Sequence, residues 1–174
     1  MDKRIFLGFA LNQQQQQDCL KIQQAIWASN KPVKAQNLHL TVLFIGQLNA
    51  LQLNKLSQYL DEQTSQQQFA RFDIEFDRLI HWQKPQIIAL GARLCPPALL
   101  HIHQSLGQFA TSIASPVANQ RYLPHITLFR KAKQHVAYAV NPVVLQPACL
   151  HLFESKSTPN GVEYISLANW DLTP

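Results

Sequence analysis

The chain has 174 residues, 47% hydrophobic and only 14% charged, which fits a folded soluble protein with a sizeable core and excludes a disordered one. A formal charge of +5 and a pI near 9.3 favour an anionic partner, but the excess is too small for a protein that coats duplex nucleic acid without selectivity. Cys19, Cys95 and Cys149 are widely spaced and form no C-x-x-C pair, so neither a disulfide framework nor a zinc ribbon is expected and they read as buried thiols.

Residues 3–11 alternate as a first strand, and the Gln-rich stretch 12–29 carries Leu20, Ile22, Ile26 and Trp27 at helical spacing. The apolar part of the opening segment is too short for a signal peptide and no small-residue cleavage site follows it. No stretch is long enough to span a membrane, so a cytoplasmic location is expected. A strand over 37–45 precedes a helix over 50–65, marked by Leu51, Leu53, Leu56, Tyr59 and Leu60. Residues 69–80 and 86–93 read as two strands, and Pro96-Pro97 opens a helix that runs to about 113 on Leu99, Ile102, Leu106 and Phe109. A loop containing Pro116 leads to a strand over 123–130. Strands over 142–153 and 162–170, joined across a turn at 157–161, complete the chain. The pattern is α+β with antiparallel sheets.

Two of these strands carry the same polar pair: His39-Leu40-Thr41-Val42 and His125-Ile126-Thr127-Leu128. Chance alone supplies roughly 0.24 copies of His-x-Thr in a chain of this composition, so two copies, both within apolar runs, are informative. In an extended strand alternate side chains share a face. His39 and Thr41 therefore point one way while Leu40, Val42 and Phe44 pack inward, and His125 with Thr127 repeats this against Ile126 and Leu128. The copies lie about half the chain apart, as in an internal duplication with a cleft on its pseudo-two-fold axis. Basic residues bracket both: Lys31 and Lys34 before the first, Arg121 before the second, and Arg130, Lys131 and Lys133 after it.

Histidine exchanges protons near neutral pH, and two imidazoles in one cleft can divide the roles of acid and base. A phosphodiester suits such a pair. One neutral ring activates the attacking hydroxyl or water, one protonated ring serves the departing oxygen, and the threonine hydroxyls hold non-bridging oxygens. The scheme needs no metal. His101 and His103 face apart on a helix, which argues against a metal pair there, and His81, His135 and His151 stand outside either motif. Trp82, Tyr122 and Phe129 are possible stacking surfaces for a base, although core packing is the commoner fate of aromatics beside strands.

The segments RIFLGFAL, QNLHLTVLFIG, YLPHITLFRK and LFESKSTPNGVEYISLANWDL resemble the successive strands of the 2H phosphoesterase superfamily, in particular the RNA 2',3'-cyclic phosphodiesterases, also called 2'-5' RNA ligases. The resemblance covers almost the whole chain. It implies one domain over residues 1–174 made of two lobes, a bilobal pseudo-two-fold α+β fold with antiparallel sheets lining a central cleft and helices outside. It also implies metal-independent hydrolysis of a terminal 2',3'-cyclic phosphate to a 2'-phosphate, without a cofactor, on RNA 3' ends or small cyclic-phosphate nucleotides. His39 and His125 are the implied catalytic pair, His39 serving the O3' leaving group and His125 the water. Thr41, Thr127 and Arg130 are the implied substrate contacts. Arg130 meets the cleft only if the strand ends or bulges after Leu128, because strict alternation turns it away from His125. A monomer is expected. The other readings are 2'-5' ligation or small cyclic-phosphate hydrolysis at the same site, and a non-catalytic binder of RNA ends.

Overall fold

The computed structural model describes residues 2–26, 31–114, 121–133, 136–159 and 161–174. Strand β1 (Lys3–Ala10) leads into α1 (Gln13–Ala25), and a two-residue strand β2 (Lys31–Pro32) and a 3-10 turn (Ala35–Asn37) precede β3 (His39–Leu48). Then follow α2 (Ala50–Ser65), β4 (Ile74–Trp82), β5 (Ile87–Ala92), α3 (Pro97–Ile113), β6 (His125–Arg130), β7 (Val143–Leu145), β8 (Cys149–Thr158) and β9 (Gly161–Asp171). Asn12 and Asn49 start α1 and α2 by the same device. Each side chain accepts from the backbone N–H of the glutamine three residues on, and that glutamine reaches back to the asparagine N–H.

All strand pairs join one antiparallel sheet in the order β7-β4-β5-β6-β3-β1-β8-β9, with β2 beside β6. The helices pack on the face that carries Leu40, Val42, Leu90, Ile126, Leu128 and Leu152, and bury Ile22, Leu56, Leu60, Leu99, Ile102 and Leu106 against it. Each such side chain contributes about 1.5–3 kcal/mol by leaving water. The opposite face is where the polar motif residues lie.

Two expected strands are drawn differently. The stretch 142–153 is two strands at distant places in the sheet: β7 pairs with β4, and β8 pairs with β1. Pro147, which has no N–H for a ladder, stands where they part. The stretch 69–80 becomes a ladder strand only at Ile74. Phe69 and Phe72 are buried in the core, but the backbone there bonds to Thr173 near the chain end instead of extending β4. Trp27, the loop around Pro116 and His135 lie outside the described residues.

Candidate active site

The motif strands β3 and β6 are neighbours at the middle of the sheet, yet they pair at a single position, Leu40 with Ile126. Antiparallel register sets His39 toward Thr127 and Thr41 toward His125 on either side of that pair. Beyond it the strands part, and β2 takes the place beside Phe129 and Arg130. The two halves of the sheet therefore meet in a wedge lined by both motifs.

The two imidazoles are held alike. His39 Nδ1 lies 2.7 Å from the Asn37 carbonyl and His125 Nδ1 lies 2.8 Å from the Leu123 carbonyl, in each case two residues back. A carbonyl can only accept, so both Nδ1 atoms carry hydrogen, and in the neutral ring Nε2 is left as the free base. His39 Nε2 is 2.8 Å from Thr41 Oγ1, which donates to it.

Strict alternation fails in both motifs at the same step. In β3 the register against β1 passes from Leu43 to Thr41 and leaves Val42 unpaired; in β6 the register against β5 passes from Phe129 to Thr127 and leaves Leu128 unpaired. Each is a bulge, with two successive residues turned into the core: Val42 and Leu43 in one copy, Leu128 and Phe129 in the other. The next residue is thereby returned to the face of its histidine. Arg130 reaches the cleft this way, and its guanidinium donates to the Tyr164 hydroxyl at 3.4 Å. Phe44 is returned by the same step. Expected to pack inward, it is instead 50% exposed, its ring 5.3 Å from that of Phe6.

Helix side chains cap both bulges. The buried Gln23 amide of α1 donates to the Leu128 carbonyl at 2.8 Å and to the Val33 carbonyl at 2.9 Å. His103 of α3 donates through Nδ1 to the Val42 carbonyl at 2.9 Å, and its ring stacks on Tyr122, whose hydroxyl donates to the Thr41 carbonyl.

Burial drives the His39 imidazole down to about 4, against the pull of the Asn37 carbonyl, with the charges of His125 and Arg130 pushing the same way. His125 is also lowered, first by burial and then by Arg130, with Leu123 opposing. Burial therefore favours the neutral form of both rings, and both sense Arg130.

Of the three aromatic candidates Trp82 is the one in ring contact with a motif histidine, edge-on to His125 at 4.8 Å. Phe129 is fully buried and Tyr122 is occupied with His103 and Thr41. Four residues not singled out from the sequence shape the site: Phe44, Phe6 beneath His39, Tyr164 edge-on to His39 at 4.9 Å, and Asn37. The signal for Phe44 is present in the chain, since H-x-T-x-x-F and H-x-T-x-x-R superpose when the copies are aligned. Cys149 is half-buried, its Sγ 3.2 Å from His151 Nε2, so it is not an ordinary core thiol. Among the described residues no group of three or more His, Cys, Asp or Glu side chains converges as a metal site, and no helix is long and apolar enough to cross a membrane.

Residues 10–89 match the family model of LigT-like phosphoesterases. The RNA 2',3'-cyclic phosphodiesterase of Escherichia coli K12 is 29% identical over 154 residues, spanning 83% of this chain and 81% of that protein. Both comparisons point to the LigT-like phosphoesterases, which this chain resembles in sequence. The fold agrees along the whole length: a crystal structure of E. coli LigT complexed with 3'-AMP superposes with a TM-score of 0.92 at 24% identity, covering 100% of both chains. E. coli LigT complexed with NADP+ gives 0.89 at 24% identity, also over 100% of both chains. The α+β architecture with its antiparallel sheet is thus the fold of the E. coli LigT structures.

Proposed function

We propose that this phosphoesterase hydrolyses the terminal 2',3'-cyclic phosphate of RNA to a 2'-phosphate, with His39 and His125 as acid and base. The observation that carries the reading is the matched pair of imidazoles. Each has its Nδ1 tied to a carbonyl two residues back, so each presents Nε2 to one wedge, with the Arg130 guanidinium beside both. The family and the activity named for the E. coli relative point the same way.

In this mechanism the cyclic phosphate lies between the two His-x-Thr pairs. Water attacks phosphorus and its proton passes to His125 Nε2, while the P–O3' bond breaks and His39 Nε2–H donates to O3'. The negative charge of the bound phosphate first favours uptake of a proton from solvent by His39, whose burial makes it a strong donor once charged. Thr41 leaves His39 Nε2 to serve a non-bridging oxygen, Thr127 serves another, and Arg130 neutralises the charge that builds on the phosphoryl group. The exposed Phe44 ring offers a face to a terminal base. These groups suffice for the reaction without a metal ion.

The test is product analysis on an RNA ending in a 2',3'-cyclic phosphate. Mass spectrometry should show addition of one water and sensitivity to a phosphomonoesterase, and nuclear magnetic resonance should place the phosphate on O2'. Joined RNA ends without hydrolysis would replace this reading with ligation, and an unaltered substrate would leave only binding.

A further inference from the structure

The two halves of the cleft are built alike but lined differently. On one side the rings of Phe6, Phe44, Phe153 and Tyr164 surround His39. On the other, the row that starts at His125 runs across the sheet to Gly91 on β5 and then to Arg78 on β4. Paired residues of neighbouring strands point to the same face, so Arg78 stands on the His125 face about 10 Å away, two strand spacings. Gly91 puts nothing between them. A Cβ at Gly91 would lie 3.7 Å from Arg78 Nε and would run into the Ile80 side chain at 2.1 Å, so the glycine is what lets Arg78 and Ile80 lie over the strand.

Arg78 forms the wall of a cavity of about 520 Å³ together with Arg93, Arg121 and Gln104. The cavity shares His103, Arg121, Tyr122 and Leu123 with the groove that holds Thr41, Phe44, Trp82 and His125, so the two spaces adjoin and Arg121 stands between them. No Asp or Glu lines it among the described residues. Arg93 is paired with Asp77, but Arg78 commits one N–H to the Ala92 carbonyl and faces no carboxylate, and Arg121 is exposed. A guanidinium fork with free donors suits a phosphate oxygen pair. The bond to Ala92 fixes Arg78 beyond Gly91, and it is Arg130 whose charge the two histidines sense, so Arg78 does not serve the reacting phosphorus. The corresponding row on the opposite half passes from His39 to Ala10 on β1 and holds no guanidinium.

We propose that the cavity walled by Arg78 and Arg121 binds the internucleotide phosphodiester on the 5' side of the terminal nucleotide, so that the site takes an RNA chain in preference to a single cyclic nucleotide. This rests on the hydrolase reading above. The terminal base lies toward the rings of the His39 side, and the chain leaves across Gly91 toward the arginines.

The experiment compares three substrates: a nucleoside 2',3'-cyclic phosphate with a free 5'-hydroxyl, the same molecule with a 5'-phosphate, and a dinucleotide ending in a 2',3'-cyclic phosphate. The wild type should process the dinucleotide about tenfold better in kcat/KM than the 5'-hydroxyl mononucleotide, the order expected of a charge-assisted hydrogen bond. In the double variant Arg78→Gln/Arg121→Gln that ratio should fall to about one to two through KM rather than kcat. The salt slope for the dinucleotide should also become shallower, by at most roughly 0.7, because a single phosphate loses its contacts. Arg121→Gln alone and Arg78→Gln alone, both at exposed positions, each give a partial fall and cover the case in which the double variant folds poorly. A wild-type ratio near one, or a ratio unmoved by the variants, overturns the inference while leaving the hydrolase reading intact. A gain from the 5'-phosphate that the dinucleotide does not share overturns the RNA assignment in favour of a mononucleotide phosphate. A wild type inert on all three substrates removes the hydrolase reading, and this inference with it.

Discussion

Phe44 and Arg130 occupy the same place in the two copies of one motif, each three residues after its threonine and each returned to the cleft by a bulge one residue after that threonine. A repeated backbone device therefore delivers two unlike side chains to one wedge. Arg130 should act on the phosphate and Phe44 on the base. Arg130→Ala should lower kcat by about 10² or more, and Arg130→Lys should recover only part of it because the planar fork is lost. Full activity of Arg130→Ala would remove the residue from the chemistry. Phe44→Ala should leave kcat near wild type and raise KM about tenfold or more, the scale of a lost base stack; an unchanged KM places the base elsewhere.

Loss of either imidazole should stop the reaction at its chemical step. His39→Ala and His125→Ala are each expected to lower kcat by at least about 10², and the double variant should be little worse than the weaker single one, since the two rings work as a unit. Single-turnover rates at saturating cyclic phosphate measure this. A variant that keeps wild-type turnover has no part in proton transfer.

The pH dependence follows from the direction of the two histidine shifts. Catalysis needs one proton on the pair, and both rings are lowered from the usual 6.5, His39 to about 4, so in the free protein the singly protonated pair exists only below about 6.5. The alkaline limb of kcat/KM should therefore begin on the acid side of 6.5. The bound phosphate anion favours imidazolium, so the limb in kcat should lie at higher pH. Stability carries the same signature. A lowered histidine contributes fully above 6.5 and its contribution is lost as pH falls through 4, so the melting temperature should drop across that window, less so in His39→Asn. Coincident kcat and kcat/KM profiles centred above 7 would contradict the assignment.

Chelation should leave the reaction untouched, because in the proposed mechanism the acid, the base and the charge on the phosphoryl group are all supplied by side chains. Excess EDTA during hydrolysis of a cyclic phosphate is the measurement, and loss of activity restored by a divalent ion is the contrary result.

The caps on the bulges can be weighed separately from the chemistry. Gln23→Met keeps the length of the side chain and deletes two donated hydrogen bonds, to Leu128 and Val33, in a buried place. The Leu128 carbonyl keeps its bond from the Val33 N–H, so the cost should be about 1–3 kcal/mol, seen as a melting temperature lower by several degrees. A melting temperature equal to wild type means that the amide braces nothing.

Much of the architecture is written plainly in the chain. His-x-Thr occurs twice in apolar runs, and the three helices announce themselves through Leu56 and Leu60, Leu99 and Leu106, and the asparagine that opens two of them. What alternation hides is the extra residue of a bulge, because a period of two has no place for it. The trace it leaves is a pair of adjacent buried residues, Val42-Leu43 and Leu128-Phe129, in otherwise alternating strands. Alternation alone therefore turns Phe44 inward, and it brings Arg130 to the cleft only when a bulge is invoked. The Asn37 side-chain amide and Tyr164 are out of reach for another reason: 127 residues separate them in sequence, and only the folding of the sheet brings them together.

That contact has a bearing on how the protein behaves in a crowded solution. β9 is the last strand of its sheet, and a free strand edge invites pairing with another chain. The Asn37 side chain plugs two positions of that edge, donating to the Val162 carbonyl at 2.7 Å and accepting from the Tyr164 N–H at 3.3 Å, as the peptide group of a neighbouring strand would. One buried amide thus closes two positions of the edge to any neighbouring strand, and it belongs to the residue whose carbonyl aims His39.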